Sequence, residues 1–136
     1  MKADVIISIR PEWWHKITIG RKNVEARKSF PIKLLGLDHP SKSGFTAAVH
    51  VSGILDISGF IHFYEITTDK NRMIAGSCMT PEEYEAYSNG LTVFGWCLDS
   101  AEKLKKQIPI EEFGISKPPQ SWCYVKQRKE ISVCQR

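Results

Sequence analysis

Lys22, Glu25 and Arg27 stand close together in the stretch Gly20-Arg21-Lys22-Asn23-Val24-Glu25-Ala26-Arg27-Lys28. A lysine and a glutamate held side by side in a low-dielectric cleft polarise one another and shift each other's proton affinity, which acid–base catalysis requires. The same groups can read a nucleobase. A carboxylate accepts from exocyclic amines, while Lys and Arg donate to carbonyls and phosphates. On a half-exposed strand they would be a surface ion pair of little energetic value. From Asn23 onward the pattern alternates with period two. Val24, Ala26 and Phe30 share the face expected to point inward, and Asn23, Glu25, Arg27 and Ser29 share the other.

Two elements must position these residues. Val5 to Ile9 is a β-branched run that reads as a buried strand. Pro11 ends it and suits the first turn of a helix, where no N–H is required. Glu12 then places a negative charge at the positive helix end. Trp13 and Ile17 repeat at i and i+4, and Gly20 provides the stop. Trp13 and Trp14 point about 100° apart on such a helix, so one is expected in the core and the other partly exposed. A strand–helix–strand unit therefore delivers Lys22, Glu25 and Arg27 to one place beside the helix.

This unit, with Ser8-Ile9-Arg10-Pro11 at its head, resembles the opening signature of the ASCH domains of the PUA-like superfamily. Ser77-Cys78-Met79-Thr80-Pro81-Glu82-Glu83, Phe94-Gly95-Trp96 and Lys117-Pro118-Pro119-Gln120-Ser121-Trp122-Cys123-Tyr124-Val125 resemble a phage and prophage branch of that family. The likeness covers most of the chain but is loose between residues 31 and 61. It implies an α+β, mainly β fold: a PUA-like barrel of five to six strands with two to three short helices. It also implies a nucleic-acid or nucleotide-binding module, with RNA as first partner. Arg10, Lys22, Glu25, Arg27, Lys28, Gln120 and Ser121 would line the cleft, and Trp96 or Trp122 would offer a stacking wall. Packing in the barrel core is the alternative role for both tryptophans. Some small ASCH proteins are amidohydrolases of N4-acylated cytidine, using a Lys, a Thr three residues later and a Glu from a later strand. Lys22 matches the Lys and Glu65 loosely matches the Glu, but Glu25 stands where the Thr would be. A hydrolase of a modified nucleoside would then rely on Lys22 with Glu25 or Glu65. A phage accessory protein binding a host protein is a third reading.

Composition sets outer bounds. The chain has 136 residues, which suits one domain spanning 1–136, and a net charge of +4, which permits an anionic partner without demanding one. No apolar run approaches the roughly 20 residues of a membrane helix, and no signal-peptide pattern is visible, so a cytoplasmic location is expected. Cys78, Cys97, Cys123 and Cys134 lack zinc-site spacing, and His15, His39, His50 and His62 are scattered. No cofactor motif is present, so no metal or cofactor is expected.

The remaining elements follow from pattern. Pro31 to Gly44 reads as a long loop with a turn near Leu34 to Leu37. Ala47 to Gly53 and Ile61 to Ile66 read as strands, with Gly53 and Gly59 marking bends or bulges. Thr68 to Ser77 is a loop or a short helix start. Thr80-Pro81-Glu82-Glu83 is a capping box opening a helix that ends at Asn89-Gly90, with Tyr84 and Tyr87 as its packed stripe. Thr92 to Leu98 is a strand, Asp99 to Lys106 is open between helix and strand, and one helical turn ends at Gly114. Ser121 to Val125 is the last strand, followed by a tail that forms an edge strand or frays.

Overall fold

The computed structural model describes residues 3–35 and 44–126. Val5–Ile9 forms β1, Pro11–Thr18 forms α1, and Val24–Arg27 forms β2. Pro11 sits in the first turn of α1, and Gly20 adopts φ +82° just beyond its end. That left-handed turn suits glycine and reverses the chain toward β2. A four-residue helix α2 (Ile32–Leu35) follows, then β3 (Phe45–Val51), β4 (Ile57–Thr67), α3 (Lys70–Ser77), α4 (Pro81–Ser88) and β5 (Phe94–Ile108). A 3-10 turn at Ile110–Phe113 and β6 (Trp122–Tyr124) complete the described elements. The segment from 36 to 43 and the tail from 127 lie outside the described residues, so the turn beyond Leu35, His39, Cys134 and the expected edge strand are not placed.

The six strands form one sheet in the order β2-β5-β4-β3-β1-β6. Among the described residues only the β1–β3 pairing is parallel; the others are antiparallel. β2 and β6 stand at opposite ends of this order, yet the sheet curls into a half-barrel that brings them together. Trp96 of β5 and Trp122 of β6 have ring centroids 5.6 Å apart. The fold is mainly β and PUA-like.

Alternation along the strands sorts the core. Val5, Ile7, Ile9, Ala47, Val49, Val51, Ile61, Phe63 and Trp96 fill the inside of the curl, closed at one end by Trp14 and Ile17 of α1. Ile6, Ala48, Ile57, Phe60, Ile110 and Phe113 pack on the outside. A third cluster, Val24, Met73, Tyr84, Val93 and Cys97, lies where α3 and α4 cover the outer face. A bulge between Ile57 and Gly59 lets Ile57 share the outer cluster with Phe60, although the two are three residues apart. Gly59 has no room for a side chain, because a Cβ would lie 2.3 Å from the Glu102 carbonyl oxygen and 2.6 Å from the Trp14 ring.

One expectation changes and two open readings are decided. Val24 and Ala26 face the helical layer rather than the barrel interior, so the charged face of β2 is the one turned inward. Polar Asp99 to Lys106 continues β5 as a strand because β4 pairs with it as far as Ile108. Pairing overrides the absent pattern there, and most of those side chains stay exposed. Lys70 to Ser77 is a full helix, started by the Asp69 carboxylate accepting from the Arg72 N–H at 3.0 Å.

Candidate functional site

A cleft of about 480 Å³ opens beside α1, at the seam where β2 meets the β1–β6 edge. Lys22, Glu25 and Arg27 form one wall, and all three are almost wholly buried, at 4%, 6% and 8% exposure. Period-two alternation puts Glu25 and Arg27 on the inner face of β2, and the reversal at Gly20 brings Lys22 beside them.

Arg27 donates from Nε and Nη2 to Glu25 Oε2, at 3.2 and 2.7 Å. Nη1 donates to the carbonyl and hydroxyl oxygens of Ser121, at 3.1 and 3.0 Å. Nη2 also donates to the Ser8 carbonyl at 2.9 Å. A guanidinium has five N–H donors, and these five bonds use them all. Arg27 is thus a latch that joins β2 to the opposite edge of the curled sheet. It has no donor left for a ligand.

Lys22 is held differently. Its Nζ donates to the Ser77 carbonyl at 2.9 Å, near the C-terminal end of α3, where a positive charge is favoured. It lies 3.2 Å from Glu25 Oε1 and 5.1 Å from the centre of the Trp13 ring. The Oε1 contact is an ion pair without an aligned hydrogen bond, and Ser77 Oγ beside it is also buried without a hydrogen-bond partner. Burial pushes the Glu25 carboxyl up, but the Arg27 and Lys22 cations outweigh it and hold the group below the ordinary carboxylate value.

The sign of the resulting pH dependence follows. A carboxyl with a depressed folded pKa adds stability above its unfolded value, near 4.5, and that contribution is lost as pH falls through the lower folded value. Urea unfolding of the wild type and Glu25→Gln should therefore show a gap that is fully open at pH 7. It should narrow progressively below about pH 4.5. A gap independent of pH would contradict the buried ion triad.

The rest of the lining is mixed. Trp13, Met79 and Tyr87 supply apolar surface; Ser8, Arg10, Ser52, Gln120 and Ser121 supply polar surface. Arg10 is exposed at the mouth. Tyr87 donates to the Ala26 carbonyl at 3.3 Å. Among the described residues no group of three or more His, Cys, Asp or Glu could hold a metal, and no helix is long and apolar enough to cross a membrane.

No family model matches the sequence, and neither does any curated relative. Solved structures do match. ZmASCH from Zymomonas mobilis superposes with a TM-score of 0.68 at 19% identity, covering 96% of this chain and 93% of that one. A tyrosine-to-phenylalanine mutant of the same protein gives 0.69 at 19% identity, and a serine-to-alanine mutant 0.68 at 18%, each covering 98% of both chains. The chain has the ASCH fold. At these identities the likeness concerns the fold alone.

Within the ASCH fold, Arg10, Lys22, Glu25, Arg27, Gln120 and Ser121 all line this one cleft. Four candidates do not. Trp96 is fully buried in the barrel interior, its Nε1 donating to the Ser29 carbonyl at 3.0 Å. Trp122 packs edge-on against Trp96 and Tyr124 and donates to Ser29 Oγ, so it walls the core and not the cleft. Lys28 lies 5.0 Å over the Tyr87 ring, off the cleft lining. Glu65 is on the wrong side of the sheet. It and Val24 both pair with Cys97 and share its outer face, whereas Glu25, Trp96 and Ile66 share the inner one. Glu65 is ion-paired with Arg72 at 2.6 Å, and that bond pushes the arginine pKa up. The cleft aromatics are instead Trp13 and Tyr87. The doubled tryptophan at Trp13-Trp14 was the signal for the first, since one of the two had to face outward.

Proposed function

We propose that this cleft binds a nucleotide unit of single-stranded nucleic acid, with RNA as the first partner. The observation that carries the reading is Lys22, fixed by Glu25 and the Ser77 carbonyl against the Trp13 ring. A fixed ammonium beside an aromatic face suits a base or a phosphate–base unit, and Arg10 at the mouth adds positive charge for the backbone. The ordering is internal, so binding does not have to organise Lys22.

The alternative, hydrolysis of an acylated nucleoside by Lys22 and Glu25, is supported by their contact in the cleft but opposed by the state of the carboxylate. Arg27 and Lys22 engage its two oxygens and hold its pKa low, which makes it a poor general base.

The test is fluorescence anisotropy of a labelled single-stranded RNA titrated at rising salt. Affinity should fall with log salt at about −0.7 per phosphate neutralised. Trp13→Ala should weaken binding by about 1–3 kcal/mol, the usual value of one base–aromatic stack. Absence of binding at low salt, or indifference to salt, would refute the reading.

A further inference from the structure

Ser8 and His50 stand opposite one another on the parallel strands β1 and β3, with Ser8 Oγ 2.9 Å from His50 Nδ1. Ser8 lies on the wall of the cleft, with Ser52, Gln120 and Arg10 at the same end. His50 is buried behind it. Burial pushes the imidazole pKa down, against a smaller opposite effect of the Ile54 backbone. In the neutral tautomer that carries its proton on Nε2, Nδ1 presents a lone pair to Ser8. A hydroxyl in contact with a neutral imidazole forms the core of an activated nucleophile.

We propose that Ser8 and His50 form a nucleophile–base pair that hydrolyses small carboxylic esters entering this end of the cleft. In the structure the Ser8 hydroxyl donates to the Pro119 carbonyl at 2.6 Å, and His50 Nδ1 is the alternative acceptor. Rotation about the Cβ–Oγ bond moves its proton from one acceptor to the other with no heavy-atom movement. In the acylation step Ser8 Oγ bonds to the ester carbon, its proton passes to His50 Nδ1, and the carbonyl electron pair moves onto oxygen. Arg10 and Gln120, which line the same cleft, carry side-chain donors of the kind that stabilise such an oxygen. Collapse breaks the bond to the alcohol, which leaves with the proton from Nδ1. Water then attacks the acyl-serine, gives a proton to Nδ1, and Ser8 leaves with it. The net reaction is ester plus water to acid plus alcohol, with no oxidant or cofactor. The reaction does not use Lys22 and does not depend on nucleic-acid binding.

The full-length chain is treated with a fluorophosphonate probe, the adduct is mapped by peptide mass spectrometry, and p-nitrophenyl acetate hydrolysis is followed in parallel. The expected result is one adduct on Ser8, hydrolysis lost in Ser8→Ala, and labelling slowed about 10²–10⁴-fold in His50→Gln, the usual loss for a general base. A clamp that merely ties Pro119 to β1 would give no adduct. The wild-type adduct decides the matter even where a variant fails to fold. No adduct on Ser8, or hydrolysis that survives Ser8→Ala, overturns the proposal.

Discussion

Replacing Arg27 with methionine is expected to cost about 3–5 kcal/mol of stability, the range for removing one partner of a buried ion pair. The substitution keeps most of the side-chain volume but removes five hydrogen bonds at once. Glu25 would keep only Lys22 as a counter-charge, and the Ser121 and Ser8 carbonyls would each lose a donor. Arg27→Lys should rescue little, because an ammonium has three donors and cannot reproduce the planar fork. The seam should loosen first. Ser8 N–H donates to the Ser121 carbonyl at 2.9 Å, so hydrogen exchange at that amide should accelerate more than exchange in the β3–β4 pairing. Urea unfolding measures the total. A loss below about 1 kcal/mol would mean the latch contributes no more than an exposed pair.

Trp96→Ala should be similarly severe, at about 3–5 kcal/mol, through an unfilled cavity. The indole is fully buried and meets the rings of Phe45 and Phe63 edge-on, each with centroids 5.3 Å away, while Trp122 closes a third side. These neighbours sit on three different strands, so no single movement refills the space. The Ser29 carbonyl also loses its indole donor. Binding by the folded fraction should be unchanged, because Trp96 is not on the cleft. Unfolding curves and RNA titrations on the same sample separate the effects. Lost affinity with normal stability would return Trp96 to the role of stacking wall.

Much of the fold was legible because several local signals agreed. The β-branched run of β1, the proline at the start of α1 and the capping box of α4 mark their elements within a few residues, and each uses short-range chemistry. The curl of the sheet was not legible, because it depends on contacts such as Arg27 to Ser121, 94 residues apart. This is why Trp96 and Trp122 could be read as core or as cleft, with core packing the favoured of the two. Their alternation fixes a face, but only closure decides whether that face is interior. The misplacement of Glu65 has the same origin: register with Cys97, absent from local pattern, sends it outward. Ser8 and His50 escaped notice as a pair because a parallel β1–β3 pairing across 42 residues joins them.

The central claim is that the cleft beside α1 is the ligand site, and a crystal soaked with a panel of nucleotides tests it most directly. Electron density for a nucleotide is expected against Lys22 and the Trp13 ring, with its phosphate toward Arg10. Density only elsewhere on the surface, or an empty cleft at saturating nucleotide, would contradict it.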